Sequence, residues 1–118
     1  MPWKTRFSSR HEGLIGRLAD GILEGQGTTD PVLRRSVESR AASLSGRPTP
    51  GQGELPETIW AYVDKIAFHA YKVTDDDINA LLTAGYSEDA ILEITVSAAL
   101  GAGLARLECG LAALKGEK

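Results

Sequence analysis

The sequence predicts an all-α domain of about five helices, on three observations. Its apolar residues, 42% of the chain, are mostly Ala and Leu rather than Val, Ile and aromatics, a bias that favours helices over strands. Within successive segments those residues recur at spacings of three and four. Between the segments stand the residue types that start and stop helices. At 118 residues one domain suffices, and folding buries roughly two thirds of the surface an unfolded chain exposes.

Residues 1–9 read as an arm. Leu14, Ile15, Leu18, Ile22 and Leu23 then mark a first helix, interrupted by Gly25 to Thr29. Asp30-Pro31 has the form of an N-cap followed by the favoured first-turn proline, and the second helix is expected to run to about Leu44. These two helices form an expected N-terminal hairpin. Ser45 to Gly53 carries Gly, Pro and Thr without periodic apolar residues and reads as a mobile connector. The organisation expected is therefore residues 1–53 for arm, hairpin and connector, and 54–118 for the helical core.

A third helix begins near Pro56, with Glu54 and Glu57 at the positive end of its dipole. Its expected apolar stripe is Ile59, Val63, Ile66 and Ala70. Thr74-Asp75-Asp76-Asp77 resembles a capping box at the start of a short fourth helix, which Gly85 stops by adopting a left-handed conformation. Ser87-Glu88-Asp89 opens the last helix, which reaches about Leu114. There Leu100, Leu104, Leu107, Leu111 and Leu114 form a coiled-coil-like seam. Gly101 and Gly103 weaken a helix interior by about 1 kcal/mol each, so a close contact with another helix, partly between subunits, is expected there.

Composition limits the function. The formal net charge is −3, with a net +3 over residues 1–47 and −6 over residues 48–118. A basic arm over an acidic body explains this without nucleic acid, whose binders carry a clustered basic excess. Cys109 alone cannot form an intramolecular disulfide, and no apolar leader follows Met1, so a cytoplasmic protein is expected. The weakly polar run Ile94 to Leu104 is far short of a membrane span, so no membrane partner is expected.

The residues Ile66 to Tyr71, Val73 to Ile78, Ala84 to Ile91 and Leu92 to Ala99 together resemble the alkylhydroperoxidase D-like, carboxymuconolactone decarboxylase superfamily. The resemblance lies in a histidine ending one helix, a short helix, a Gly-containing turn and a long small-residue helix, over roughly residues 55 to 114. It implies an alkylhydroperoxidase D-like bundle and a homo-oligomer, either trimer or hexamer. In the peroxidase branch the first helix carries C-x-x-C-x-x-x-H. With His69 as that histidine, Tyr62 and Lys65 occupy the cysteine positions, so no CxxC pair and no thiol peroxidase activity are expected. In the decarboxylase branch an acidic residue just precedes the histidine, where this chain has Lys65.

Tyr62, Lys65, His69 and Lys72 stand at helical spacings of three and four, off the apolar stripe. One reading makes His69 a general acid or base and Tyr62, Lys65 and Lys72 the ligand contacts for a small anionic molecule. The other makes the same face an ordinary solvated or subunit-facing surface. Neither metal nor cofactor is expected: His11 has no spaced partner ligand, and the three aspartates suit a helix start rather than a calcium loop. Cys109 is expected to be a small buried apolar group, and Trp3 and Trp60 to pack against the arm or an interface. The function expected is a non-redox, oligomeric binding or accessory subunit. The alternative is a lyase or isomerase using His69 on an anionic carbonyl substrate.

Overall fold

The computed structural model describes residues 9–48 and 53–116. The arm with Trp3, the connector residues 49–52 and the side chain of His11 lie outside the described residues. Five α-helices occupy that span: α1 (Ser9–Leu23), α2 (Pro31–Leu44), α3 (Glu57–His69), α4 (Asp75–Thr83) and α5 (Glu88–Leu114), with a 3₁₀ turn at Ala70–Lys72 after α3. No strand occurs among the described residues.

The helix boundaries follow local chemistry. Asp30 accepts a hydrogen bond from the Val32 amide at 2.8 Å, with Pro31 in the first turn of α2. The Asp77 carboxylate takes the Thr74 amide at 2.8 Å, closing the start of α4. Ser87 caps α5 by accepting from Ala90 N at 3.1 Å. Gly85, at φ 104°, turns the chain out of α4, and Tyr86 N then bonds back to the Leu81 carbonyl, a left-handed helix closure that favours glycine.

Helix α5 is the axis of the fold, and α2 lies most extensively against it. Val37 and Ala41 of α2, Ile59, Val63 and Ala67 of α3, Leu81 of α4 and Ile91, Ile94, Ala98 and Ala102 of α5 form one buried cluster. That core spans both sides of the 45–53 connector. Helix α1 rests on a smaller cluster, where Ala19 meets Leu104 beside Ile15, Leu100 and Leu111. Each of the first two helices thus packs on α5 more than on the other, because each presents its apolar face to that helix.

Three packing expectations need correction. Ala70 is exposed beyond the end of α3, and Ala67 with Tyr62 takes its place in the core. Of the leucine seam only Leu104 is buried, while Leu107 and Leu114 face outward. The close approach at the glycines lies within the chain at Gly101, where an added Cβ would stand 2.9 Å from the Glu38 carbonyl carbon and 3.1 Å from its Cα. Around Gly103 there is open space.

By length and composition α5 could cross a membrane, but half of its apolar window is buried against the other helices. It is longer and more continuous than the run Ile94 to Leu104 suggests.

Candidate functional site

Helix α3 carries all but one of the residues expected to form a site, and the structure separates them. Tyr62 points inward: it is buried, and its hydroxyl pairs with Thr95 Oγ1 of α5 at 2.7 Å. Thr95 in turn donates to the Ile91 carbonyl, so the phenol is a core side chain with its polar end satisfied. The periodicity placed it one step off the stripe, and a helix packed on two neighbours buries a wider arc than a single stripe.

Lys65 is half-buried, with Nζ 2.7 Å from Asp77 Oδ2. This contact, followed by the Thr74 amide, holds the Asp77 carboxyl below its ordinary value of 3.8. Lys65 therefore joins α3 to the start of α4 rather than standing ready for an anion. Asp64, one residue earlier, takes Arg40 Nε and Nη2 at 2.6 and 2.9 Å and ties α3 to α2.

His69 and Lys72 remain at the exposed end of α3. The His69 ring meets Tyr71 edge-on at 5.9 Å between centroids, Phe68 lies 6.4 Å away, and Lys72 Nζ sits 5.8 Å from the Tyr71 ring. Behind them Arg106 of α5 donates to the Ala67 carbonyl at 2.7 Å, satisfying one of the free carbonyls at the helix end. This is an aromatic and cationic surface cluster. An acid-base group in it works in open water, where a proton transfer gains nothing from exclusion of solvent.

No family model, curated protein or solved structure matches the chain.

Two clefts lie elsewhere. One, of about 390 Å³, is lined by Arg40, Ser43, Leu44, Leu55 and Trp60 among others, with the Arg40 guanidinium 4.7 Å over the indole. Trp60 thus packs on the cation and lines a cleft. The other, of about 220 Å³, lies between α1 and α5, between Gly21 and Ile22 on one side and Leu92 and Val96 on the other. Nearby, Glu93 accepts from the Thr28 and Thr29 amides at 2.7 and 2.8 Å and from the Thr29 hydroxyl at 2.5 Å. The Thr29 hydroxyl contributes most to holding the Glu93 carboxyl below its ordinary value.

The least foreseen feature is a buried charge cluster. Arg47, placed in the expected mobile connector, is 7% exposed. Its Nη1 lies 3.0 Å from Glu38 and its Nη2 3.3 Å from Glu108. Gly46, at φ 117°, closes α2, and Arg47 N bonds to the Ala42 carbonyl, which folds Arg47 back over the helices. That turn is a signal the sequence does contain: a residue following a left-handed glycine commonly packs back onto its helix. Two carboxylates share one guanidinium, and burial, the largest influence, pushes the Glu38 carboxyl up.

Arg34 plays a similar part at 3% exposure, giving hydrogen bonds to the carbonyls of Ile22 and Gly25 at 2.9 and 2.7 Å and closing the end of α1. Cys109 is exposed rather than buried, with Sγ 3.6 Å from the Gly46 carbonyl. It has no second cysteine to pair with. No cluster of metal-ligating side chains occurs among the described residues.

Proposed function

We propose that this chain is a non-redox protein of the alkylhydroperoxidase D-like, carboxymuconolactone decarboxylase type, acting as a homo-oligomeric binding or accessory subunit. The observation that carries the reading is the outer face of α5. Leu92, Val96, Ala99, Gly103, Leu107, Gly110 and Leu114 recur there at spacings of four and three, and all are exposed. Leu92 is 61% exposed, Leu107 43% and Leu114 84%. No charge interrupts the stripe over roughly 33 Å of helix. A contiguous apolar surface of this kind marks an interaction site.

The residues at the two cysteine positions support the non-redox part. Tyr62 is committed to the core and Lys65 to Asp77, so α3 offers no thiolate and no resolving partner. The acid-base alternative keeps only His69 and Lys72 of its four residues.

Light scattering tests the assembly. At micromolar concentration the wild-type chain is expected to be an oligomer, and Gly103→Leu to dissociate with its helix content unchanged. A Cβ at Gly103 meets no described residue within 4 Å, so that substitution is expected to report on contacts between chains. A wild-type monomer refutes the reading.

A further inference from the structure

The outer stripe of α5 is its own complement when reversed, and this complementarity names an occupant. Seven positions are symmetric about Gly103: reading outward from it, Ala99 answers Leu107, Val96 answers Gly110, and Leu92 answers Leu114. Against an antiparallel copy, each of the two inner pairs sets a large side chain on a small one, and glycine meets glycine at the centre. Against a parallel copy, Leu107 meets Leu107 and Gly110 meets Gly110, which alternates collisions with gaps.

Charge favours the same direction. Glu88 and Asp89 occupy the first turn of α5 and Lys115 follows its last. An antiparallel pair brings acidic starts beside basic ends and opposes the two helix dipoles, whereas a parallel pair stacks acid on acid.

The glycines add an independent argument. In α5, Gly103 and Gly110 each leave open space where a Cβ would sit, and neither has a positive φ. Nothing among the described residues requires them, although each weakens the helix relative to alanine. Gly101, two residues away, is required by the Glu38 backbone. The unexplained pair falls on the exposed stripe and the explained one on the core.

The area is adequate once α1 is included. Leu14 and Leu18, 61% and 55% exposed, lie at helical spacing from Gly21, which borders Leu92 and Val96 across the smaller cleft. The α5 stripe, about 33 Å long, and α1, about 22 Å long, each roughly 9 Å wide, together present near 500 Å² per chain. Two such faces bury about 1,000 Å² in total, the lower bound for a specific interface, and a standard one of about 800 Å² per partner would draw on residues rimming the face as well.

We infer that two copies of this chain associate about a two-fold axis passing beside Gly103, with their α5 helices antiparallel and each stripe filling the other. The inference rests on the homo-oligomer reading and gives it one symmetry: an isologous pair, the unit of a dimer or of a hexamer with two-fold axes and not of a plain trimer.

Single cysteines placed in full-length Cys109→Ser test it. Helices about 9 Å apart, each with Cα atoms about 2.3 Å from its axis, bring facing Cα atoms to roughly 4 to 5 Å, within disulfide reach. Under mild oxidation Gly103→Cys should link to itself in most of the protein. Val96→Cys and Gly110→Cys should each stay unlinked alone, since copies of either residue lie about 21 Å apart, and should link when the two variants are co-expressed. Self-linking of Val96→Cys or Gly110→Cys overturns the antiparallel register, as does failure of Gly103→Cys or of the mixed pair. Light scattering on the same samples separates the two levels. An oligomer without these links sinks the two-fold and leaves the homo-oligomer reading, while a monomer sinks both.

Discussion

Gly101→Ala is the sharpest test of the packing between α2 and α5. The new methyl would lie 2.9 Å from the Glu38 carbonyl carbon, closer than real Cβ atoms approach other atoms, and 3.1 Å from its Cα, tighter than most such contacts. Neither neighbour is the flexible end of a side chain, so the helices must part or α5 must bend. Overpacking of this kind costs about 2 to 3 kcal/mol, and alanine's better helix propensity returns about 1 kcal/mol. The net loss is about 1 to 2 kcal/mol, a fall in Tm of about 4 to 8 °C for a domain of this size. Thermal unfolding followed by far-ultraviolet circular dichroism reads it directly. Gly13→Ala in α1, where a Cβ meets no described residue within 4 Å, serves as the control and should gain up to about 1 kcal/mol. If Gly101→Ala proves as stable as wild type, the close approach of the two backbones is wrong.

Arg47→Met should lower stability by about 3 to 5 kcal/mol in urea unfolding, since it strands two buried carboxylates; adding Glu38→Gln and Glu108→Gln should recover most of that loss. The pH profile has two limbs. Glu38 has a raised folded pKa, so its contribution is fully present below its ordinary 4.5 and is lost as pH rises through the folded value. Asp77 and Glu93, with lowered values, contribute above their ordinary 3.8 and 4.5 and lose that contribution as pH falls through the folded values. Stability should therefore peak in mild acid, and Glu38→Gln should flatten the decline toward neutral pH; a decline unchanged in that variant removes Glu38 as its cause. Dithiol-dependent peroxide turnover should not exceed that of a Cys109→Ser control, and robust turnover abolished by the serine would contradict the non-redox reading. Modification of His69 by diethylpyrocarbonate, read by mass spectrometry, should proceed readily in the Gly103→Leu variant, where the ring is exposed; protection there would mean the ring is covered within one chain.

Much of the architecture was legible because helices announce themselves locally. The caps at Asp30, Thr74 and Ser87, the stop at Gly85 and the periods between them depend on residues within one or two turns. What stayed hidden depends on which helix meets which. Nothing local distinguishes Gly101 from Gly103, yet a Cβ at the first would meet the Glu38 backbone and a Cβ at the second would meet no described residue within 4 Å. Tyr62 and Lys65 sit at the same spacing from His69 as surface residues do, and only the positions of α5 and α4 reveal that both are engaged. Arg47 was obscured by its company of glycine and prolines, since composition describes a connector's flexibility but not an arginine folded back under it.

The candidate site and the apolar stripe are adjacent parts of one surface. Arg106, whose guanidinium holds the Ala67 carbonyl near the end of α3, stands three residues from Gly103 and four from Gly110 of the stripe, on a neighbouring row of the helix surface, so the C-terminal end of α3 flanks the face through which α5 is proposed to pair. Within one chain His69, Tyr71 and Lys72 stand in solvent, where an anion is held weakly against salt. In the proposed pair, a second chain laid along α5 is expected to change those conditions without changing any residue, by excluding water beside the ring and lowering the local dielectric around the lysine. On the proposed pairing, any binding or catalysis at His69 is expected to require assembly, and a monomeric variant that keeps its fold tests this: activity retained by the monomer would refute it.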